Sequence, residues 1–498
     1  MRQRVKVGLL CNLDSIKNWE LDLLNYFLGD DFYDVTLLDL NLTIKPRKNS
    51  LKNKFKNLPY VFAHKVEYSI LRFFKKISFL DKVDSLKLDV KKFEIFGCQN
   101  GVKTILNFDS IEGQFDYIVR INGVGILVIP EMFSTPILSL HHGNMYLNRG
   151  GPAGFWEIFF RQQQSEVSLQ RLTNSLDKGD ILYQYSCKTI PYSFVLNQDN
   201  LYSVSSRVFD IYFKYNCQKL KPIFFTPLLL SIPDFFNILH YYLIVVQNLF
   251  QKIKNLNQKW VVCVEINHKR LFYQPLSSDW YADPFFLDSG KIIVEKYLSK
   301  LKKGILVSVD IETKVETTLL EESFHLSHPS VLKYNNKIFV IPESLGGNAV
   351  KLYELCNNKL IFIKDLLIGR FVDSLLINTD KGFYLLTTSV DSRFNEEKRL
   401  YYSEDLILSK FLEVHDFQPI TDPYISRSAG FLKLEDNHFI NYCQNPFPFY
   451  GRSISACKLY YNGQFELMYE IKVDALKYKG IHHFAFLEEK CVYDLRLR

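Results

Sequence analysis

Two adjacent histidines, His141 and His142, follow a short apolar segment in the first third of the chain. Histidine changes its charge near neutral pH, so it can hold or move a proton at a reacting group. Asp177 lies in a turn-rich segment further along the chain, and a nearby carboxylate can orient a histidine and favour its charged form. These residue types favour an acid–base site that combines this pair of histidines with an aspartate on the later turn.

A glycine-rich turn separates the histidines from Asp177. It begins at Arg149-Gly150-Gly151 and runs into Trp156. Glycine allows a tight turn, and a guanidinium can hold an anionic group. A lone histidine or aspartate is more often structural, but their combination with Arg149 and Gly150 favours a functional site.

The order of these motifs resembles that of the folate-dependent formyltransferases. That family carries Asn-Ile-His, Arg-Gly, Pro, Trp and then Leu-Asp-Thr-Gly-Asp, and residues 138–156 and 176–182 follow that order. Residues 116–130 resemble the family's folate-cradling segment. The resemblance covers residues 1–200 and implies 10-formyltetrahydrofolate as co-substrate. The binding residues that it implies are His142, Asn144, Arg149, Gly150, Gly123, Gly125 and Leu127.

The resemblance also implies how the site would act. An amine would attack the formyl carbon while His141, charged by Asp177, stabilises the oxyanion. Ser139 stands where the family has its catalytic Asn, and losing one oxyanion donor costs about 100- to 1000-fold in rate. Either His142 or Asn144 replaces that donor, or the site no longer transfers formyl groups.

The strands and helices that would position this site are predicted to form an α/β domain. Residues 5–11 and 33–38 are apolar strands on either side of a segment with helical periodicity, which is a β-α-β opening. Further strands are expected at Ile105–Phe108, Tyr117–Ile121 and Leu138–Leu140. We predict a Rossmann-like, mostly parallel sheet over residues 1–200, with the histidines at its carboxyl edge.

From residue 259 the pattern changes to short strands that alternate with turns. Five similar segments recur, and one polar residue taken as the reference position of each segment lies 45, 45, 54 and 55 residues after the previous one; we call these residues the anchors. This period is typical of propeller blades and predicts an all-β five-bladed propeller over residues 259–498. The anchors expected at its central channel are Asp283, His328, Asp373, Arg427 and His482, with Glu343 beside them.

Two segments of this half resemble known propellers. Ala282–Phe285 and Ile341–Ser344 are similar to segments of furanosidases and xylosidases, and closer to the propeller domain of glucosamine inositolphosphorylceramide transferases. Paired carboxylates at a channel suit glycoside hydrolysis. The same side chains could instead bind sugar by hydrogen bonds or simply cap the blades, and these two interpretations together are favoured over hydrolysis.

Composition restricts the remaining choices. The chain has 498 residues, a net charge of +7 and nine scattered cysteines without a CxxC pair. This pattern favours a cytoplasmic protein, argues against a disulfide framework or metal site, and gives no reason to expect a nucleic-acid partner. Residues 44–92 are basic and predicted to be helical beyond Pro59, either as a solvated face or as a membrane-binding surface. Residues 201–258 are predicted to form a helical connector.

Together these observations predict a formyltransferase-like enzyme acting on an amine, with an amino sugar of surface-glycan biosynthesis as the expected acceptor. The sugar would be carried on a nucleotide or a lipid, and the enzyme would lie in the cytoplasm or at the inner face of the membrane. The alternative is a propeller-based glycosidase or glycan-binding protein whose first domain has altered chemistry. The sequence does not determine the oligomeric state.

Overall fold

The computed structural model describes residues 4–12, 16–39, 51–81, 95–96, 98–99, 102–103, 108–122, 127, 129–173, 179–215, 228–255, 259–474 and 477–498. Asp177, Gly123 and Gly125 therefore lie outside the described residues, and for Arg149 only the backbone is described. The chain divides into two compact units, Met1–Gln251 and Lys252–Arg498.

The first unit contains eleven named strands and seven helices among its described residues. In chain order they are β1 (Val5–Cys11), α1 (Asn18–Gly29), β2 (Tyr33–Asp39), α2 (Leu51–Phe73), β3 (Ile95–Phe96), β4 (Cys98–Gln99), β5 (Val102–Lys103), α3 (Phe108–Ile111), β6 (Tyr117–Arg120), β7 (Ile137–His141), β8 (Asn148–Gly150), α4 (Trp156–Phe159), β9 (Gln164–Arg171), β10 (Asp180–Lys188), α5 (Phe194–Ser203), α6 (Ser205–Lys214), β11 (Leu228–Leu230) and α7 (Phe235–Lys254).

The main sheet of this unit has the strand order β10-β9-β7-β6-β1-β2-β3. Within this sheet the neighbours β7, β6, β1, β2 and β3 pair in parallel. In contrast, β9 pairs antiparallel with both β7 and β10. The sheet is therefore mixed, because the β9–β10 hairpin adds two antiparallel strands at one edge. The strand predicted at Ile105–Phe108 is wrong at Phe108, which begins α3, and its other residues lie outside the described part.

Both faces of the sheet are covered, as expected when side chains alternate along a strand. Val7 and Leu9 of β1 join a core with α1 and α6, whereas Leu10 points to a second core that includes Ile118. None of the described helices is both long and apolar enough to cross a membrane.

The described residues of the second unit form twenty strands. They are β12 (Trp260–Ile266), β13 (Lys269–Tyr273), β14 (Trp280–Phe286), β15 (Lys291–Leu298), β16 (Lys303–Asp310), β17 (Glu316–Leu320), β18 (Ser327–Tyr334), β19 (Lys337–Glu343), β20 (Ala349–Cys356), β21 (Lys359–Ile368), β22 (Phe371–Thr379), β23 (Gly382–Val390), β24 (Glu396–Ser403), β25 (Leu412–Glu413), β26 (Ser428–Glu435), β27 (His438–Asn445), β28 (Ser453–Tyr460), β29 (Phe465–Ile471), β30 (Phe484–Leu487) and β31 (Lys490–Arg496).

These strands form five four-stranded sheets, so the predicted five-bladed propeller is confirmed. Four blades use consecutive strands, from β14 to β29. The fifth has the order β13-β12-β31-β30 and joins the two ends of the unit, with Trp260 of β12 paired to Arg496 of β31. The inner strands β14, β18, β22, β26 and β30 contact one another around a closed ring.

Four of the five inner strands, β14, β18, β22 and β26, carry a bulge close to their first residues. Asp283, His328 and Asp373 occupy these bulges with φ values of 49°, 43° and 49°. In β26 the positive φ falls on Gly430, and a Cβ there would lie 2.2 Å from Nε2 of His483. Gly430 is therefore the bulge residue of this blade, and the anchor assigned to Arg427 precedes the bulge by three residues.

Candidate functional site

The carboxyl ends of β1, β6 and β7 lie together because these strands are parallel neighbours. The backbone N–H of Asn12 donates to Oδ1 of Asn122 over 2.6 Å, and Asn122 Nδ2 donates back to the Asn12 carbonyl over 3.2 Å. Asn122 Nδ2 also reaches Glu20 Oε2 at 3.2 Å. These bonds fix the sheet edge at which His141 ends β7.

Ser139 and His141 lie on the same face of β7, because side chains alternate along a strand. Their antiparallel partners on β9 are Gln170 and Ser168, respectively. Gln170 is buried, and its Oε1 has no hydrogen-bond partner within the described part of the chain. A directly opposed pair brings its side chains close together, so the structure places an amide beside Ser139, where the formyltransferase pattern has Asn.

His142 occupies a different environment from His141. Its ring packs 5.1 Å from Trp19 and 4.2 Å from Tyr202, and its Nε2 lies 3.0 Å from the Ser205 hydroxyl oxygen. Burial, reinforced by the charge of His141, lowers the pKa of His142 to about 3. His142 is therefore neutral, and only His141 is suited to a charged role.

The other predicted binding residues have local structural partners. Oδ1 of Asn144 accepts from the backbone N–H groups of Tyr146 and Leu147 over 2.8 and 3.2 Å. Gly150 has a φ of 87°, and a Cβ there would lie 2.3 Å from the Leu230 carbonyl oxygen of β11. The backbone of Arg149 pairs with Leu229 in the same ladder. The side chain of Leu127 joins the apolar core beside β6.

Glu157 is a buried carboxyl near this edge whose role the sequence left open. It is 2% exposed, and its Oε2 has no hydrogen-bond partner among the residues described. Burial raises the pKa of Glu157 to about 7, against the opposing effects of backbone hydrogen bonds and the charge of His141. An acidic residue within the aromatic run 155–160 was the available sequence signal.

The centre of the propeller is built on ion pairs. His482 lies between two buried carboxylates, with Nε2 3.1 Å from Asp283 Oδ1 and Nδ1 2.8 Å from Asp494 Oδ2. Burial lowers the pKa of His482, but the two carboxylates outweigh it and raise the value to about 10. His482 is therefore an imidazolium, and both of its nitrogens are engaged.

Asp283 links three strands of the ring. Its Oδ2 accepts from the backbone N–H of His328 over 3.1 Å, and its own N–H donates to Asp494 Oδ2 over 3.1 Å. Burial raises the pKa of Asp283, but the charge of His482 and its hydrogen bond lower it overall. The three donors Asp283, His482 and Asp494 could hold a cation, but a protonated His482 pairs with carboxylates and does not coordinate a metal.

A second group surrounds Arg427. Its Nε donates to Asp373 Oδ2 over 2.5 Å, its Nη2 donates to Asp373 Oδ1 over 3.0 Å, and Nη2 also lies 3.3 Å from Glu343 Oε2. This two-pronged pairing is the strong form of an Arg–carboxylate contact. Burial raises the pKa of Glu343 to about 8, although Arg427 opposes the shift.

His328 differs from the other predicted channel residues. Its two ring nitrogens have no hydrogen-bond partner among the described residues, and its ring packs 5.3 Å from those of Phe285 and His483. Burial lowers its pKa. His328 is therefore a neutral packing residue, whereas the other five predicted residues form the two charged groups. Four further residues of the propeller centre were not predicted from the sequence. They are Asp494, His483, the buried Glu295, and Tyr450, whose ring centre lies 5.9 Å from the Arg427 guanidinium.

Comparison with known proteins supports the propeller resemblance. Residues 260–477 match the family described as glucosamine inositolphosphorylceramide transferase 1, N-terminal. The rice (Oryza sativa subsp. japonica) glucosamine inositolphosphorylceramide transferase 1 is 27% identical over 36% of this chain and 26% of its own length. The Arabidopsis thaliana relative is 26% identical over 37% of this chain and 26% of its own length. The chain thus spans about a quarter of the length of these relatives.

Solved structures give only distant matches. A 4-N formyltransferase from Francisella tularensis is 12% identical with a TM-score of 0.29, covering 62% of this chain and 98% of that one. The catalytic domain of a Coprinopsis cinerea GH62 α-L-arabinofuranosidase is 9% identical with a TM-score of 0.34, covering 43% and 80%. Scores in this range do not assign a fold or a function, so the formyltransferase resemblance rests on the motifs.

Proposed function

We propose that this chain is an enzyme of glycan biosynthesis whose first unit transfers a formyl group from 10-formyltetrahydrofolate to an amino sugar. The observation that carries the proposal is the position of Ser139 and His141 on one face of β7 at the carboxyl end of parallel strands. Ligands of open α/β sheets bind at this edge. The order of the surrounding motifs follows the folate-dependent formyltransferases.

His141 is the proposed stabiliser of the oxyanion, and Asp177 its proposed partner. The neutral, packed His142 leaves His141 as the histidine for this role. The amine nitrogen bonds to the formyl carbon to give the tetrahedral intermediate, and Asp177 moves the amine proton to the folate nitrogen. The bond from the formyl carbon to the folate nitrogen then breaks, the carbonyl re-forms, and tetrahydrofolate leaves with the transferred proton on its nitrogen. The Ser139 hydroxyl is the second proposed donor to the oxyanion, and its side chain is shorter than that of the Asn that the family has at this position.

The proposed acceptor is an amino sugar on a nucleotide or lipid carrier, and the propeller binds the glycan. Support comes from the match of residues 260–477 to a family whose name contains both an amino sugar and a lipid. The partly exposed Arg427 and Glu343 side chains, 20% and 13% accessible, are the groups available to sugar hydroxyls. We place the enzyme in the cytoplasm, at the inner face of the membrane.

The test is an assay of the purified chain with 10-formyltetrahydrofolate and a panel of nucleotide-linked amino sugars. His141→Asn and Asp177→Asn should each lower formyl transfer by about 100-fold or more. Asp34→Asn, at an exposed position of β2, is the matched control and should retain the wild-type rate. Failure of the wild-type chain to bind any folate derivative in a titration would show that the proposed chemistry is wrong.

A second function has one specific observation in its favour. The two carboxyls Asp283 and Glu343 have pKa values shifted in opposite directions, so one is ionised and the other protonated near pH 7. Such a pair is typical of a general base and a general acid that act on a glycosidic bond. Sugar release that is lost in Glu343→Gln, but retained in His141→Asn, would favour this function over formyl transfer.

A further inference from the structure

Helix α7 presents a continuous apolar face to solvent. Phe236, Leu243 and Phe250 recur every seven residues, which places them on one side of the helix, and they are 74%, 57% and 62% exposed. The same face carries further exposed apolar side chains, namely Phe235, Leu239, Val246 and Leu249. Monomeric proteins rarely leave so continuous an apolar face in water unless it is a contact surface.

Helix α2 carries a second exposed apolar face. Phe62 is 69% exposed, Ile70 is 52% exposed, and Phe73 and Phe74 at the end of the helix are 81% and 63% exposed. Leu58 and Val66 continue the same side at four-residue intervals. An aromatic side chain that is more than half exposed gains little from the protein interior.

The opposite faces of both helices are anchored in the first unit. Ala63 of α2 and Tyr241 of α7 lie in one buried core with Phe194. The Tyr241 hydroxyl donates to Glu67 of α2 over 3.0 Å and accepts from the Phe194 N–H over 2.9 Å. The two helices are therefore held beside each other, and their apolar faces point outward although each helix is firmly packed.

The charges on these two helices are almost all positive. Lys65, Arg72, Lys75 and Lys76 are exposed on or just after α2, and Lys252 and Lys254 end α7. The acidic neighbours are Asp81, which lies 3.7 Å from Arg72, and Asp234, which directly precedes α7. Between residues 51 and 76, and between 235 and 254, Glu67 is the sole acidic residue, and it is hydrogen-bonded to Tyr241. Apolar faces flanked by basic residues fit the headgroup region of an anionic bilayer.

We propose that the exposed faces of α2 and α7 form a membrane-docking surface, which lies in one leaflet of a bilayer containing anionic lipids. Apolar side chains enter the boundary between headgroups and acyl chains, and the flanking lysines and arginines bind lipid phosphates and carboxylates. The inference is independent of the formyl-transfer proposal, because it uses neither His141 nor Asp177. It would bring an enzyme of this kind to substrates carried on lipid.

The test is sedimentation of the full chain with vesicles of phosphatidylcholine, alone or mixed with phosphatidylserine. We expect binding that is stronger with phosphatidylserine. Leu243→Ser/Phe250→Ser and Phe73→Ser/Phe74→Ser should each weaken binding by about tenfold or more. Lys75→Glu/Lys76→Glu should remove most of the preference for phosphatidylserine.

The matched control is Leu276→Ser/Leu408→Ser, which removes two leucines that are 109% and 88% exposed in the propeller. It should bind vesicles as the wild type does. Circular dichroism of each variant checks that the fold is retained. Absence of wild-type binding, equal weakening by the control, or concentration-dependent self-association that is lost in the helix variants would overturn the proposal, the last in favour of a second copy of the chain.

Discussion

The two candidate sites of this chain place charge in opposite ways. At the sheet edge, His141 and Ser139 are half-buried at the end of a strand, beside the neutral His142 and the carboxyl of Glu157. At the propeller centre, His482 is buried between two carboxylates, and every one of these groups is paired. The first arrangement places half-buried side chains at the end of a strand, whereas the second uses its charges to join blades.

The charged groups at the propeller centre join different strands of the propeller to one another. Asp283 stands on β14, accepts from the backbone of β18 and is bonded by its own N–H to Asp494 on β31. These hydrogen bonds connect the blades that begin with β14 and β18 to β31 of the closing blade, and the Asp283–His482 ion pair adds a further link to that blade. Arg427 and Glu343 are more accessible, so we expect ligand contacts there rather than at His482.

The largest expected effect comes from breaking the closure pairs. Asp494→Ala removes a carboxylate that accepts from the N–H groups of His482 and His483 and balances the charge of His482. Because it leaves a buried charge with half of its partners, we expect the free energy of unfolding to fall by about 3–5 kcal/mol. Denaturant unfolding followed by tryptophan fluorescence measures it. The exposed Asp380→Ala is the control, and equal loss in both variants would contradict a closure role.

The pH dependence of stability is a second test of whether the ion pairs of His482 stabilise the closed propeller. The pKa of His482 is raised to about 10 in the folded chain, against about 6.5 for an unfolded histidine. Its contribution to stability is therefore fully present below about pH 6.5 and is lost as the pH rises through about 10. We expect the unfolding midpoint of the wild type to fall over this alkaline range. A curve for Asp494→Ala that falls just as steeply would assign the loss to other groups.

The sequence predicted much of this architecture because its signals are periodic. Five recurring segments were enough to predict five blades, and the apolar runs of β1 and β7 predicted that His141 follows a buried strand at the carboxyl ends of the sheet. Asp494 was not predicted as a site residue, because it lies on the second strand of the closing blade, outside the recurring segments. Gln170 was not predicted as a site residue either. Its position opposite Ser139 depends on the antiparallel pairing of β9, which no local sequence pattern indicates.

That pairing gives the next prediction, at the sheet edge. If the amide of Gln170 assists where Ser139 replaces the family's Asn, then Gln170→Ala should lower kcat of formyl transfer by about tenfold or more, with little change in the KM of the amine. A Gln170→Asn variant should retain part of the rate, because it keeps the amide. An equal loss in both variants, or a loss in KM alone, would assign Gln170 to packing.

The smallest expected effect comes from Glu157, whose carboxyl has a pKa raised to about 7 by burial. Its usual value is about 4.5, so between these limits the folded chain binds a proton that the unfolded chain releases, and stability falls as the pH rises through this window. Glu157→Gln should abolish this dependence while preserving the fold, which denaturant unfolding at several pH values between about 5 and 8 measures. A variant whose stability still falls as the pH rises through this window would show that another group is responsible.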